Sequence, residues 1–247
     1  MVFAAGLGTR LRPFTLDHPK ALVPVGGVPM LERVLLGLKS QGFDEIVVNV
    51  HHFAAQVVDF LRGKDNFGVN ITISDESDKL LDTGGGVLHA RTFLEGNSPV
   101  VLYNSDILSN VDLSEMLRQH ISSNADVTLL ATPRQTSRYL CFEKGSGRLA
   151  GWINKSTGET RPPGFLPDAD FLELAFGGVH VISQNVFGYL EQYSMEPKFS
   201  LTPFYIDSCR SLDVRAYTPL GNDFAWFDVG KPDTLASAEK FITENHL

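Results

Sequence analysis

Phe3-Ala4-Ala5-Gly6-Leu7-Gly8-Thr9-Arg10-Leu11-Arg12-Pro13, with Pro19-Lys20 following, is the stretch from which the fold is read. A short apolar run breaks off into Gly-x-Gly-Thr-Arg, as a strand of an α/β sheet does where it meets a ligand. Glycines here let consecutive backbone N–H groups turn toward one anion, with no side chain in the way. Arg10 adds a fixed fork of donors for phosphate oxygens, and Lys20 a mobile point charge. A lone Gly-x-Gly serves equally as a plain turn, so its context matters. The third glycine of a dinucleotide fingerprint is missing, and so is the Gly-Lys-Ser/Thr of a Walker loop. What the residues describe is a phosphate cradle.

Outward from the cradle, apolar runs alternate with amphipathic stretches as far as about Leu130, which predicts βαβ units around a mainly parallel, doubly wound sheet. Strands are expected at Glu45 to Val50, Val69 to Ser74 and Pro99 to Tyr103. Helices are expected at Pro29 to Ser40, Ala54 to Arg62 and Thr83 to Phe93, the last opening with Thr83 as its N-cap. Beyond Leu130 the runs are shorter and more β-like: Tyr139 to Glu143, Leu149 to Asn154 and Phe171 to Ile182. Ser156 to Asp170, rich in Gly and Pro, reads as a loop able to move over a substrate. Helices return at Thr202 to Ser211 and from Pro232 to about Asn245. The expectation is one domain over residues 1–247, with a nucleotide-binding half at 1–130 and a smaller β-rich half at 131–247.

The chain has 247 residues, 43% apolar and 20% charged, enough for one large core. A net charge of −8 without a Lys/Arg-rich run argues against a nucleic-acid partner. Any small anionic substrate must be met by local cations and a metal. Cys141 and Cys209 show neither a disulfide framework nor zinc spacing. Met1 to Ala5 is too short for a signal peptide's core and no stretch approaches a membrane span, so a cytoplasmic protein is expected, with oligomerisation left open. The histidines, His51-His52 included, fit no triad and read as structural.

Asp106 follows an apolar strand in Tyr103-Asn104-Ser105-Asp106, where an α/β site needs a hard oxygen ligand for Mg²⁺. Further on stand Asp82-Thr83-Gly84-Gly85-Gly86 and Trp226-Phe227-Asp228-Val229-Gly230. The glycines of the first run suit close packing or close approach to a flat ring. The second reads as a corner in which Gly230 takes a positive φ.

These motifs, with Pro19-Lys20-Ala21-Leu22-Val23-Pro24-Val25, resemble those of the sugar nucleotidyltransferase family over nearly the whole chain. The resemblance implies the reaction NTP + sugar 1-phosphate → NDP-sugar + pyrophosphate, with Mg²⁺ as cofactor. It implies nucleotide contacts from Ala4, Ala5, Gly6, Gly8, Thr9, Arg10, Lys20, Thr83 and Gly84, and catalytic roles for Arg10, Lys20 and Asp106. Asp106 and Asp228 would share the metal. Sugar-phosphate contacts are implied for Asn104, Asn154, Lys155 and Gly178. Relatives often have Gly where Asp82 stands, and Glu and Pro where Asn154 and Ser156 stand. Within the family the chain most resembles uridylyltransferases acting on N-acetylmuramate 1-phosphate with UTP, then mannose- or heptose-1-phosphate guanylyltransferases. A nucleotide-sensing relative without turnover is the alternative of another class. A retaining glycosyltransferase is disfavoured, because Ser105-Asp106-Ile107 is not an Asp-x-Asp motif.

Overall fold

Val2 and Phe3 make a strand of only two residues, yet it has parallel partners on both sides. Val2 lies opposite Val48 and Tyr103, and Phe3 opposite Asn49 and Asn104. In this computed structural model, which describes residues 1–221 and 223–245, the strand belongs to the first of two compact units. That unit comprises Met1–Leu94, Tyr103–Val111 and Asn222–Leu247, and the second comprises Glu95–Leu102 and Asp112–Gly221. The units are interleaved in sequence, with the C-terminal segment in the unit of the N-terminal cradle.

In the first unit the parallel strands run in the order Asn70–Asp75, Glu45–Val50, Val2–Phe3, then the end of Val100–Asn104. This is a doubly wound order, whose connections change direction between Val2–Phe3 and Val100–Asn104. Ligands bind beyond the carboxyl ends of strands at such a point. Ile46 to Val50 are all buried, as expected of a parallel strand covered on both faces. The helix Met30–Ser40 buries Met30, Leu31, Val34, Leu35 and Leu38, one stripe at helical spacing. Each such side chain contributes about 1.5–3 kcal/mol by leaving water.

Two expected boundaries are corrected. The helix expected over Thr83 to Phe93 is Asp82–His89 followed by a separate short helix, Arg91–Leu94. Thr83 is therefore inside it and not its N-cap. The helix expected at Thr202 to Ser211 is Leu201–Ser208, and the loop Ser156 to Asp170 contains a short strand, Thr160–Arg161.

The second unit is mainly antiparallel: Thr160–Arg161, Leu149–Asn154, Arg138–Glu143, Phe171–Ile182 and Val127–Thr132 pair in that order, and Val214–Tyr217 joins the last in parallel. Phe142, Phe187, Phe204 and Tyr205 fill its core. His120 is buried between two hydroxyls, Nδ1 2.8 Å from Thr128 Oγ1 and Nε2 2.9 Å from Ser183 Oγ. Ser183 donates its own proton to the Ala125 carbonyl (2.9 Å), so its oxygen accepts from His120 Nε2–H while Thr128 donates to Nδ1. The neutral ring is satisfied at both nitrogens, and burial holds its pKa down to about 4.

Unfolded histidine titrates near 6.5. The unfolded chain therefore takes up a proton that the native one refuses, and stability should fall as pH drops from 6.5 toward 4. Between pH 7.5 and 5 the His120 share is about 2 kcal/mol. Denaturant titration across this range should give a shallower pH slope for His120→Gln, whose amide does not titrate. Identical slopes for the two proteins would refute the assignment.

Candidate active site

After Phe3 the chain leaves the sheet with its Ala4 N–H held 2.8 Å from Asn49 Oδ1 of the neighbouring strand. Gly8 then takes a left-handed conformation, φ 64°, and starts the short turn Thr9–Leu11. A Cβ there would lie 2.8 Å from both Lys20 Cβ and Thr15 Cγ2, so the position needs glycine for conformation and for space. Gly6 has no such demand, since its Cβ would meet only Lys20 Cδ at 3.8 Å. Ala5, Gly6, Gly8, Thr9, Arg10 and Lys20 line one cavity of about 420 Å³, and Thr83, Asn104 and Asp106 line it too. Ala4 and Gly84 are buried and do not line it.

Asp106 follows the strand Val100–Asn104 at the turn into Ile107–Ser109. That second strand pairs antiparallel with Trp226–Asp228, Asp228 facing Ile107, and Val229 N–H donates to the Asp106 carbonyl at 2.9 Å. A two-stranded ribbon thus brings together carboxylates from distant parts of the chain. Gly230 lies beside them without a positive φ, which corrects the expectation for that corner. The glycine is needed for space. A Cβ there would lie 2.7 Å from Arg10 Nη2 and from Asp228 Oδ1, and 3.2 Å from Lys20 Nζ. Asp228 Oδ1 accepts from Gly230 N–H at 2.8 Å, and Lys20 Nζ is ion-paired with Asp106 Oδ2.

Two carboxylates and two cations therefore converge on one place. Among the described residues no group of three or more His, Cys, Asp or Glu side chains could hold a metal ion by itself. Asp106 and Asp228 fit Mg²⁺, which takes one or two carboxylates and completes its octahedron with phosphate oxygens and water.

Asn49, Glu76, Leu80 and Asp82 line the cavity as well; Asn49 and Leu80 belong to no motif, Asp82 opens the glycine run and Glu76 lies six residues before it. Glu76, 3% exposed, accepts from Asn49 Nδ2 at 2.7 Å and from Leu81 N–H at 3.3 Å. Burial raises its pKa, and these two donors oppose the rise. Asp82 has φ 60°, and its carboxylate accepts from Thr83 N–H at 2.7 Å. The signal for Asn49 and Glu76 was present in the sequence, as an amide inside a buried strand and a carboxylate just past a strand's carboxyl end.

The family model described as nucleotidyl transferase matches residues 1–245. The chain belongs to the nucleotidyl transferase family. It is 32% identical, over 99% of its length and 96% of the relative's, to N-acetylmuramate alpha-1-phosphate uridylyltransferase of Caulobacter vibrioides. Against D-glycero-alpha-D-manno-heptose 1-phosphate guanylyltransferase of Aneurinibacillus thermoaerophilus it is 28% identical over 97% of its length and 96% of the relative's. The fold matches that of a putative glucose-1-phosphate thymidylyltransferase from Bacillus anthracis with a TM-score of 0.79 at 20% identity, covering 97% of this chain and 93% of that one. Among its described residues this nucleotidyl transferase has no helix long and apolar enough to cross a membrane.

The remaining expected residues lie in the second unit. Lys155 is exposed and bonded to Glu173 Oε1 at 2.5 Å, a contact that raises its pKa and keeps it cationic. Asn154 Oδ1 accepts from Ser156 N–H at 3.0 Å and so shapes the turn after its strand. Gly178, φ 74°, sits where the pairing of Phe171–Ile182 with Val127–Thr132 is irregular, between Phe176 and His180.

Gly230→Ala would push on the ends of three charged side chains, Arg10, Asp228 and Lys20. Triphosphate affinity of this nucleotidyl transferase should drop at least about tenfold, a loss of ~1.4 kcal/mol, with little change in melting temperature. Unchanged affinity in an isothermal titration would show that Gly230 does not set the spacing of these charges.

Proposed function

We propose that this protein joins a nucleoside triphosphate to a sugar 1-phosphate. The sugar phosphate oxygen forms a bond to the α-phosphorus as the bond to the departing pyrophosphate breaks, giving a nucleoside-diphosphate sugar. The observation that carries this reading is the convergence of Arg10, Lys20, Asp106 and Asp228 beside a cavity lined by the cradle. No covalent enzyme intermediate is needed, so the protein contributes position and charge.

In this reading the cradle amides and Arg10 hold the departing phosphates, and Lys20 lies at the α-phosphate. Lys155 holds the attacking phosphate, with Asn104, Asn154 and Gly178 at the sugar. Asp106 and Asp228 would hold Mg²⁺, which supplies neutralising charge at the α-phosphate. Charges fixed in advance act on the transition state without reorganising.

Within this reaction we take UTP and N-acetylmuramate 1-phosphate as the substrates, on the support of the Caulobacter relative. Glu76 and Asp82 in the lining would accept hydrogen bonds from a base, whether from the ring N–H of uracil or guanine or from an exocyclic amine, so the choice among bases rests on the relative. The second reading is a GTP-dependent heptose- or mannose-phosphate enzyme, favoured by the Aneurinibacillus relative.

Pyrophosphate release should be measured for UTP, GTP, dTTP and CTP against N-acetylmuramate, N-acetylglucosamine, glucose, mannose and heptose 1-phosphates. UTP should exceed GTP at least about tenfold, which is ~1.4 kcal/mol of differential transition-state binding. A GTP preference would overturn the uridylyl reading and leave the reaction standing. Nucleotide binding without release from any pair would instead indicate a sensor.

Asp228→Asn should lower the rate at least about 10²-fold in a folded protein. Arg10→Ala should raise KM for the nucleotide and Lys155→Ala KM for the sugar phosphate. Equal effects of both variants on both substrates would remove this division of labour.

A further inference from the structure

Lys20 does more in this structure than line the cavity, since its ammonium sits directly on Asp106 Oδ2. Both side chains are mostly shielded, 15% and 17% exposed, so the attraction is screened less than that of a surface pair. The lysine stem is packed against Gly8, and Nζ also approaches Gly230, which bonds to Asp228. One ammonium thus stands at the junction of both carboxylates. A divalent cation that binds Asp106 must share a carboxylate whose charge Lys20 already neutralises at Oδ2.

We propose that Lys20 is a guard on the cation site. It withholds Asp106 from a divalent ion arriving alone and releases it when a triphosphate offers the ammonium another anion. Cation and nucleotide then bind cooperatively, and by linkage each strengthens the other to the same degree. This rests on the reading of Asp106 and Asp228 as the cation pair.

The test titrates Mn²⁺ alone into the full chain, following free Mn²⁺ by electron paramagnetic resonance. It compares wild type, Lys20→Met, Lys20→Gln and the double variant Lys20→Met/Asp106→Asn, with thermal melts to verify folding. Both Lys20 variants should bind Mn²⁺ at least about tenfold tighter than wild type, within the usual range of coupling between sites. The double variant should lose that gain. If neither Lys20 variant binds more tightly while wild type takes up Mn²⁺ with UTP, the guard is refuted and the cation pair stands. A gain that survives in the double variant refutes it as well, because the ion would not be on Asp106. If no single variant binds Mn²⁺ and UTP brings none to wild type, the cation pair falls and the guard with it.

Discussion

The site depends on the register of one very short strand. Because Val2 is level with both Val48 and Tyr103, the three chains reach the carboxyl edge of the sheet together. Ala4 is then within hydrogen-bond reach of Asn49, and Ser105 N–H reaches the Phe3 carbonyl at 3.2 Å. A slip of one residue would turn every side chain of the strand to the opposite face. Two residues give little pairing of their own, so the neighbours on each side must fix this register. The cradle and Asp106 share an edge because the strands before them end at the same level.

The charges gathered at that edge explain how an acidic chain can receive polyanions. A net charge of −8 repels a triphosphate at long range, but salt screens that field beyond about 8–10 Å. Inside the cavity Arg10 and Lys20 act at contact distance, and Lys20 offsets one of the two carboxylates. Glu76 lines the same cavity and accepts from two amide donors, Asn49 Nδ2 and Leu81 N–H, in place of a cation. Asn49 joins the cradle to this carboxylate, accepting from Ala4 N–H at the start of the cradle and donating to Glu76, so one amide orders both the loop and the carboxylate.

The sequence made the parallel sheet legible because buried strands such as Glu45–Val50 are continuous apolar runs bounded by polar turns. The cradle was legible because glycine and cation spacing reflects a local requirement. Gly230 was misread for the same reason in reverse: a glycine before a helix suggests an unusual φ, while here it makes room for Arg10 and Asp228, and such crowding is set by tertiary packing. Asn49 escaped because it belongs to no contiguous motif. Its significance, and the place of Glu76 in the lining, appear only when adjacent strands align Asn49 with Phe3 and set Glu76 one residue past the end of Asn70–Asp75. Helix ends moved by several residues at Asp82–His89, where three consecutive glycines weaken any periodic signal.

Among the described residues the helix Pro232–Asn245 lends none to the lining of the cavity, yet the position of two charges depends on it. Phe241 packs against Phe227 with ring centroids 5.1 Å apart, immediately before Asp228. One residue further along the helix, Ile242 lies against Gly26, so close that a Cβ there would be 3.0 Å from Ile242 Cγ2. Gly26 belongs to the hairpin Pro24–Val25 and Val28–Pro29, which follows directly on the turn Lys20–Leu22. One helix therefore braces, through two neighbouring side chains, the strand that carries Asp228 and the segment that follows Lys20. Aromatic and aliphatic packing is stiff because interiors are close-packed and respond to changes of a single methylene. The spacing of the Asp228 carboxylate and the Lys20 ammonium beside the cavity is in this way set by apolar contacts behind it, and the last elements of the chain belong to the same unit as the first.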